Sequence, residues 1–291
     1  MAGVRILRTT VVKAVKRRLV YVVNDRASFV ARRMAIACAA HAAGFDVHAI
    51  LPGPEIGAAA HSVRFTDLGA GETEASLASG PVTVHNIPLS RRGTALAGEW
   101  RTLRAIGDVL NRLHPDVVHQ FTLKPILYGT LSRLWRRPPA LINSFVGLGY
   151  LLEGAGVIAA ARRRVVLGGY GAMARRTGAW SVFQNPDNLR AVMTQGALDP
   201  SRVVLIRGSG VDLASFPFRA EPVTDRPLVV LPARMLADKG INEFVAAARA
   251  LRAQGVSARF ALVGGADPGN PAAIPEDTLR TWHAEGAVEW W

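Results

Sequence analysis

The sequence predicts an α/β protein with two doubly wound parallel sheets, of which the second is smaller than the first. Short apolar runs such as Leu19–Val23 and Val203–Ile206 alternate with segments of helical periodicity along most of the chain. This alternation is typical of parallel strands that are buried on both faces by helices. A proline-containing stretch at 213–226, with little periodicity, predicts a linker between a long first series of these units and a short second one.

The first series, residues 19–212, begins at the β-branched run Leu19–Val23, and its first helix is predicted to stop at Gly44 because glycine favours the conformation that ends helices. Apolar runs predict further strands at 46–51, 82–89, 117–121, 140–145, 180–184 and 203–206. Helical spacing predicts helices at 28–43, 99–113, 126–135, 157–177 and 187–195.

The second series, residues 227–291, contains fewer units. Strands are predicted at 228–232, 258–263 and 287–291, and helices at 241–254 and 276–285. Three strands and two helices make about half of a doubly wound nucleotide-binding domain. Because the chain ends on the apolar run Val288–Trp291, we expect this second domain to be incomplete.

The excess basic charge belongs to the first series alone. The formal net charge is +13, and residues 1–212 contain 27 basic and 13 acidic side chains, whereas residues 213–291 contain 8 and 9. This asymmetry indicates an anionic partner of the first series. We expect a membrane or a lipid phosphate, and no nucleic acid, because no RNA- or DNA-binding motif is present. The single cysteine, Cys38, excludes an internal disulfide and fits a cytoplasmic location.

Clusters of basic residues leave more than one interpretation open. Residues 1–18 contain six basic residues and no acidic one. They are either a helix on an anionic membrane surface, a disordered leader, or the result of a misassigned start codon. The arginine clusters at 91–92, 136–137, 162–164 and 175–176 are either solvated faces or contacts with membrane or phosphate.

The clearest candidate site is the loop after the strand Leu228–Pro232. It carries Arg234 and Lys239, and a helix is predicted to open at Ile241. Unpaired N–H groups at the start of a helix favour an anion, and two fixed cations beside them strengthen that preference. A diphosphate of a nucleotide-type ligand is therefore the expected occupant.

Other candidates follow the strands of the first series, where open α/β sheets bind ligands. Asn24 and Asp25 follow the first strand and form either a ligand contact or an ordinary turn or helix cap. Lys124, one of four lysines, projects from the carboxyl end of another strand. The turn at Gly147 and Gly149 brings backbone close to a ligand or is a simple tight turn.

Several reaction classes are not indicated. The seven histidines show no metal-ligand spacing, so no metal site is predicted. The Gly-x-Ser-x-Gly motif of serine hydrolases is absent, and the glycine turn at Gly147 lacks the third glycine of a dinucleotide fingerprint.

Several segments together resemble the family 4 glycosyltransferases, which are retaining enzymes with two Rossmann-like domains, the GT-B fold. The segments are Val22–Asp25, Thr122–Gly129, Phe183–Asp187, Val203–Asp212, Ala233–Gly240 and Val263–Pro271. They are most similar to the subgroup that builds capsule, O-antigen or N-glycan precursors on polyprenyl diphosphate. The resemblance implies transfer of a sugar from a UDP-linked donor to a lipid-linked acceptor at the cytoplasmic membrane face, without a cofactor.

The resemblance also implies roles for individual residues. Arg234 and Lys239 match the pair that contacts the donor diphosphate and stabilises the charge of the leaving group. Donor-side glycines are implied at Gly208, Gly210, Gly264 and Gly265. Acceptor-side positions are implied at Asn24, Lys124, Gly147 and Gly149.

Two departures from the family pattern leave alternatives open. The family's pair of glutamates, which has seven residues between its two members, is expected beyond Trp291. Glu276 and Glu285 have eight residues between them and are not that pair. Arg32 and Arg33 stand where relatives often carry histidine and arginine. The alternatives to an active transferase are a truncated fragment that binds only acceptor or membrane, and a nucleotide-sugar epimerase of the GT-B type.

Overall fold

The computed structural model describes residues 16–53, 76–89, 96–134, 140–148, 151, 156–196, 198–208, 210–211, 213–214, 216–267, 270 and 272–291. They fall into two compact units, and each unit contains one parallel β-sheet. Residues 1–15 of the predicted leader, Gly149 and the arginine clusters at 91–92 and 136–137 lie outside the described residues.

The first sheet has seven parallel strands in the order β3-β2-β1-β4-β5-β6-β7. The strands are β1 (Arg18–Val22), β2 (Asp46–Pro52), β3 (Thr83–Ile87), β4 (Val117–Phe121), β5 (Ala140–Phe145), β6 (Trp180–Phe183) and β7 (Val203–Leu205). The chain order changes direction between β1 and β4, and ligands bind at the carboxyl edge of open α/β sheets at such a switch point.

Helices connect these strands. They are α1 (Arg26–Ala42), α2 (Leu96–Leu113), α3 (Leu123–Leu131), α4 (Val157–Thr177) and α5 (Pro186–Gly196). Helices α2, α3, α4 and α5 pack side by side in that order, so they form a continuous layer. Gly44 has a φ of 92° just after α1, which confirms the predicted helix end and its reason.

The core of the first unit lies between the helix layer and the sheet. Its aromatic centre is Phe145 of β5, whose ring stacks on Phe183 at 4.9 Å and meets Tyr170 of α4 edge-on at 5.0 Å. Aliphatic side chains from β1 and β4 complete the same cluster. Burial of these side chains, at about 25 cal/mol per Å² of apolar surface, is the main force that holds the layer on the sheet.

A row of polar side chains crosses this core. Gln120, Asn143 and Ser181 are register neighbours on β4, β5 and β6, and all three are buried. Asn143 Nδ2 donates to Thr130 Oγ1 at 3.3 Å and to the Tyr170 hydroxyl at 3.1 Å, and that hydroxyl lies 2.7 Å from Ser181 Oγ. Neither end of the Gln120 amide has a hydrogen-bond partner among the described residues.

The second sheet has three parallel strands in the order β10-β9-β8. Its elements are β8 (Leu228–Pro232), α6 (Ile241–Ala253), β9 (Arg259–Val263), α7 (Glu276–Ala284) and β10 (Glu289–Trp290). Side chains such as Met235, Ile241, Val245, Leu262 and Leu279 form its core. Two βαβ units therefore make up this second sheet and its helices.

Each predicted strand and helix is present, with shifted ends. Helix α3 starts at Leu123, three residues earlier than predicted, because Pro125 is tolerated within the first turn of a helix. Helix α2 begins at Leu96, also three residues earlier than predicted. The described residues of the predicted linker at 213–226 contain no helix or strand, and the predicted domain boundaries stay predictions.

Candidate functional site

The loop that follows β8 is held by backbone hydrogen bonds to two other segments. The bonds run from Ala233 N to Val263 O (3.0 Å), from Met235 N to Gly265 O (3.3 Å), from Ile274 N to Met235 O (2.9 Å) and from Ala237 N to Ala272 O (2.8 Å). Since both sides of the loop are tied down, its side chains are fixed at the carboxyl end of β8.

Arg234 is the first cation of this loop. Its Nη1 atom lies 3.3 Å from Oδ2 of Asp267, and the two side chains are 37% and 12% exposed. A guanidinium carries five N–H donors in a rigid fork, so one contact with Asp267 leaves donors for a second anion. The structure thus adds Asp267, which sequence reasoning did not assign a role, as the residue that orients Arg234.

Lys239 lies at the end of a 3₁₀ turn, Ala237–Lys239, immediately before α6. Its Nζ atom lies 3.0 Å from Oδ2 of the exposed Asp238, and an exposed pair of this kind contributes little to stability. Gly240 has a φ of 76° and caps α6 without a side-chain hydrogen bond. No side chain among the described residues therefore caps the first N–H groups of α6, which favour an anion at this end of the helix. Glu243 lies in the same first turn.

The four predicted donor-side glycines differ in whether the fold itself requires glycine at the position. Gly264 has a φ of 145°, and a Cβ built on it would lie 2.1 Å from Ala233 O, so the close packing of two loops by itself requires glycine there. Gly265 accepts one of the loop hydrogen bonds described above. Gly208 and Gly210 have φ values of 74° and 71°, with open space around a built Cβ. Their donor contacts stay predictions.

A second group of side chains lies at the carboxyl edge of the first sheet. Asn24, Lys124 and Gly147 follow β1, β4 and β5, which are adjacent strands. The structure therefore brings these three of the four predicted acceptor-side residues to one edge. Gly147 is exposed, and a Cβ built there would meet nothing within 4 Å. No other described segment therefore packs against the backbone at Gly147 closely enough to require glycine.

Lys124 belongs to a small charged cluster. Its Nζ atom donates to Glu99 Oε1 at 2.6 Å, and the hydroxyl of Tyr128 donates to Glu99 Oε2 at 2.5 Å. Burial by itself would raise the pKa of Glu99, but the hydrogen bonds from Lys124 and Tyr128 and the charge of Lys124 hold that pKa below its usual range. Burial and the Glu99 carboxylate raise the pKa of the Tyr128 phenol. The cluster is therefore an ionised carboxylate between a cation and a neutral phenol.

The turn between β4 and α3 is strained. Thr122 has φ 68° and ψ 162°, a conformation that is unusual for a β-branched residue. Its buried Oγ1 atom has no hydrogen-bond partner among the described residues. Strain and an unpaired polar atom next to Lys124 are typical of a functional loop.

Arg33 of α1 is buried against Phe121, the last residue of β4. The side chain is 4% exposed, and its Cζ atom lies 4.3 Å from the centre of the Phe121 ring. His119 contacts Ser144 Oγ through Nε2 at 2.8 Å. Burial and the charge of Arg33 lower the pKa of His119 to about 3, so this imidazole is neutral near pH 7.

Neither a metal-binding cluster nor a membrane-spanning helix is found in the part of the chain that the structure describes. Within the described ranges, no group of three or more His, Cys, Asp or Glu side chains is placed to hold a metal ion. Within the same ranges, no helix has the length and apolar character needed to cross a bilayer.

Comparisons with known proteins identify the family and the fold. A family model described as "Glycosyl transferase 4-like" matches residues 18–163. The chain is 26% identical over 197 residues to the N,N'-diacetylbacillosaminyl-diphospho-undecaprenol alpha-1,3-N-acetylgalactosaminyltransferase of Campylobacter jejuni. That match covers 64% of this chain and 50% of the relative, so the chain spans about half the length of this curated protein.

Solved structures with the same fold include transferases and epimerases. A glycosyltransferase from Rickettsia africae matches with a TM-score of 0.63 at 15% identity, over 95% of this chain and 68% of that chain. Sucrose-phosphate synthase from Thermosynechococcus elongatus matches with a TM-score of 0.64 at 14% identity, over 95% and 70%. The UDP-GlcNAc 2-epimerase of Neisseria meningitidis matches with a TM-score of 0.55 at 11% identity, over 94% and 71%. These likenesses confirm the predicted α/β class of the GT-B type.

Proposed function

This chain belongs to the glycosyl transferase 4-like family, and we propose that it moves a sugar from a UDP-sugar to an acceptor carried by polyprenyl diphosphate or another lipid. Such a reaction belongs to the synthesis of surface polysaccharides or glycans. The name of the Campylobacter relative includes a diphospho-undecaprenol, which supports the acceptor half of the proposal. The Arg234 loop supports the donor half.

The geometry of that loop is the observation that carries the proposal. During transfer, the bond between the anomeric carbon and the diphosphate oxygen breaks, and the acceptor hydroxyl oxygen bonds to that carbon and releases its proton. Negative charge then grows on the leaving diphosphate. Arg234, Lys239 and the start of α6 stabilise this charge, and each charge-assisted hydrogen bond contributes about 1.5–3 kcal/mol.

The first unit binds the acceptor in this proposal. Lys124 lies at the carboxyl edge of the first sheet, where its ammonium group, held by Glu99, neutralises an acceptor phosphate. The basic excess of residues 1–212 supports peripheral contact with the anionic cytoplasmic face of the plasma membrane. The product keeps the anomeric configuration of the donor, as the family resemblance implies.

Calorimetric titration with UDP tests the donor half. We expect micromolar affinity for the wild-type chain and a loss of about tenfold to a hundredfold in Arg234→Gln, because one or more charge-assisted hydrogen bonds disappear. Arg249→Gln is the matched control, since Arg249 is also exposed and paired with a carboxylate, Glu285, at 2.9 Å. Equal affinity in Arg234→Gln and Arg249→Gln would overturn the diphosphate assignment.

Transfer is then measured with UDP-sugars and a short-chain polyprenyl diphosphate acceptor. Proton NMR of the product reports whether the anomeric configuration is retained. Binding of UDP without any transfer would favour the non-catalytic alternative. Conversion of the donor sugar in the absence of acceptor would instead indicate the epimerase.

A further inference from the structure

The outer side of α4 has an unusual composition for a surface helix. Its 21 residues include five arginines and no acidic residue. The exposed positions are Val157, Ile158, Ala160, Ala161, Arg164, Val165, Gly169, Ala172, Arg175 and Arg176. Val157, Ile158 and Val165 are 85%, 87% and 73% exposed.

This pattern differs from ordinary amphipathicity. A helix on the surface of a globular protein normally has one apolar stripe toward the core and a polar face toward water. The core side of α4 carries Leu167, Tyr170 and Ala174, and its outer side is also apolar except for the arginines. An exposed apolar surface of this kind marks an interaction site.

Helix α2 belongs to the same helix layer, separated from α4 by α3, and also exposes apolar and basic side chains. Helix α2 exposes Leu96 and Trp100, which are 87% and 65% exposed, and also Arg101 and Arg104. Helices α2 and α4 each precede a parallel strand, so both begin at the carboxyl edge of the sheet. The apolar ends of the two helices therefore lie at the edge that also carries Lys124.

We propose that this outer surface of α2 and α4 docks on an anionic lipid bilayer. Ile158, Val165 and Trp100 enter the boundary between headgroups and acyl chains, and Arg164, Arg175 and Arg176 contact the lipid phosphates. The proposal rests on the proposed function, whose acceptor is held in a membrane, and it names the surface that brings the chain to that acceptor. Tryptophan and arginine are typical of membrane interfaces, where each has an apolar body and a polar end.

Charge complementarity favours a bilayer over a second copy of this chain. In a symmetric dimer the same patch meets itself, so the arginines of α4 would face arginines with no acidic residue of α4 to balance them. Anionic lipid headgroups supply the missing negative charge, and each basic residue near such a surface strengthens binding by about fivefold.

Co-sedimentation with vesicles tests the proposal. The vesicles contain phosphatidylglycerol and phosphatidylcholine in equal parts, with no acceptor and no donor. We expect Val165→Glu to reduce the bound fraction by about tenfold, because it replaces an inserted apolar side chain with a charge of the wrong sign. Val256→Glu is the matched control, since Val256 is also exposed, at 44%, follows α6, and undergoes the same change of charge.

The arginines are tested separately. The triple variant Arg164→Gln, Arg175→Gln and Arg176→Gln is expected to lose vesicle binding by at least about tenfold at low salt. The wild-type chain is expected to lose binding as salt is raised, because salt screens charges at the surface. A triple variant of Arg219, Arg249 and Arg280 to Gln, all exposed, removes the same charge elsewhere and is expected to bind normally.

Two outcomes overturn the proposal. One is equal vesicle binding by wild type, Val165→Glu and the α4 triple variant, or no binding by any of them. The other is a concentration-dependent dimer in sedimentation velocity that Val165→Glu converts to monomer, which would assign the surface to a second copy. Transfer to a short-chain acceptor in detergent does not need the bilayer, so a failed docking surface leaves that reaction intact and is distinguishable from a failed transferase assignment.

Discussion

Glu99 illustrates what a single residue contributes to the carboxyl edge of the first sheet. It lies in the first turn of α2, 25 residues before Lys124 in the sequence, and its carboxylate bridges Lys124 and Tyr128. The i, i+4 spacing of Lys124 and Tyr128 on a predicted helix indicates that these two share a face. Nothing in the sequence indicates that Glu99 meets them, because that contact depends on how α2 packs on α3.

The substitution Glu99→Gln tests whether this carboxylate positions Lys124. We expect the KM for the lipid-linked acceptor to rise about tenfold and the KM for the UDP-sugar to stay unchanged, because the ammonium group loses its charged partner near the acceptor only. Steady-state kinetics with each substrate varied in turn measures the split. Glu99→Asp is expected to restore part of the loss.

The control for this prediction lies on the same helix. Asp108→Asn removes a carboxylate from α2 whose partner Arg104 lies 3.8 Å away in an exposed pair, and we expect neither KM to change. A tenfold rise in both KM values for Glu99→Gln, together with a lower melting temperature, would show a structural effect and contradict the positioning role.

His119 makes stability depend on pH. Burial and the charge of Arg33 lower its pKa from 6.5 to about 3, so between these values the unfolded chain binds a proton that the folded chain does not. Stability therefore falls as the pH drops below about 6.5, by about 2 kcal/mol between pH 7 and pH 5. Urea unfolding at both pH values should show this loss in wild type and a smaller loss in His119→Gln. An identical loss in both proteins would show that His119 is not responsible.

At the scale of elements, β4, β5 and β6 carry a polar row into an otherwise apolar core. The Gln120 side chain packs against α3, where a Cβ on Gly129 would lie 1.9 Å from Gln120 Oε1, so a larger residue at 129 has no room. Asn143 of the same row is bonded to Thr130 and Tyr170. The two amides therefore occupy paired register positions, but only the Nδ2 atom of Asn143 has hydrogen-bond partners, since both ends of the Gln120 amide and Oδ1 of Asn143 have none among the described residues.

One substitution at each position tests how much each amide contributes to stability. Gln120→Met is expected to leave stability unchanged or raise it by about 1 kcal/mol, because a buried amide without partners is replaced by an apolar side chain of similar shape. Asn143→Leu is expected to lower stability by about 1–3 kcal/mol, because it leaves Thr130 and Tyr170 without this partner. Guanidinium unfolding at constant pH measures both, and a larger loss in Gln120→Met than in Asn143→Leu would refute this assignment.

The β8–α6 connection shows how far an element can be predicted locally. The apolar run, the two cations and the glycine before Ile241 predict a strand, a loop and a helix start, and the structure confirms all three at Leu228–Pro232 and Ile241–Ala253. The partner of Arg234 could not be predicted. Asp267 lies 33 residues away, and it reaches Arg234 only because the loops after β8 and β9 are joined by hydrogen bonds.

At the scale of the whole molecule, the uneven charge and the two parallel sheets support the proposal that the first unit binds the acceptor and the second binds the donor. The proposed donor contacts lie in the second unit, so UDP should stabilise the unit that contains α6. We expect UDP at a hundred times its Kd to add about 2.7 kcal/mol to the unfolding free energy of that unit. Differential scanning calorimetry with UDP measures it, and uridine, which lacks the diphosphate, is the control. An equal shift in Arg234→Gln would count against the site.

The sequence by itself determined the order of strands and helices along the chain, the α/β class and the strand–loop–helix that carries Arg234 and Lys239. Each of these depends on residues close together in the chain: apolar runs, helical periodicity, a glycine before a helix. Only the tertiary structure decided that Glu99 holds Lys124, that Asp267 holds Arg234, that Gly264 is required by Ala233 O, and that the outer side of α4 is exposed. These facts depend on which distant segments pack together, and packing follows from the burial of the whole apolar surface, which no local pattern encodes.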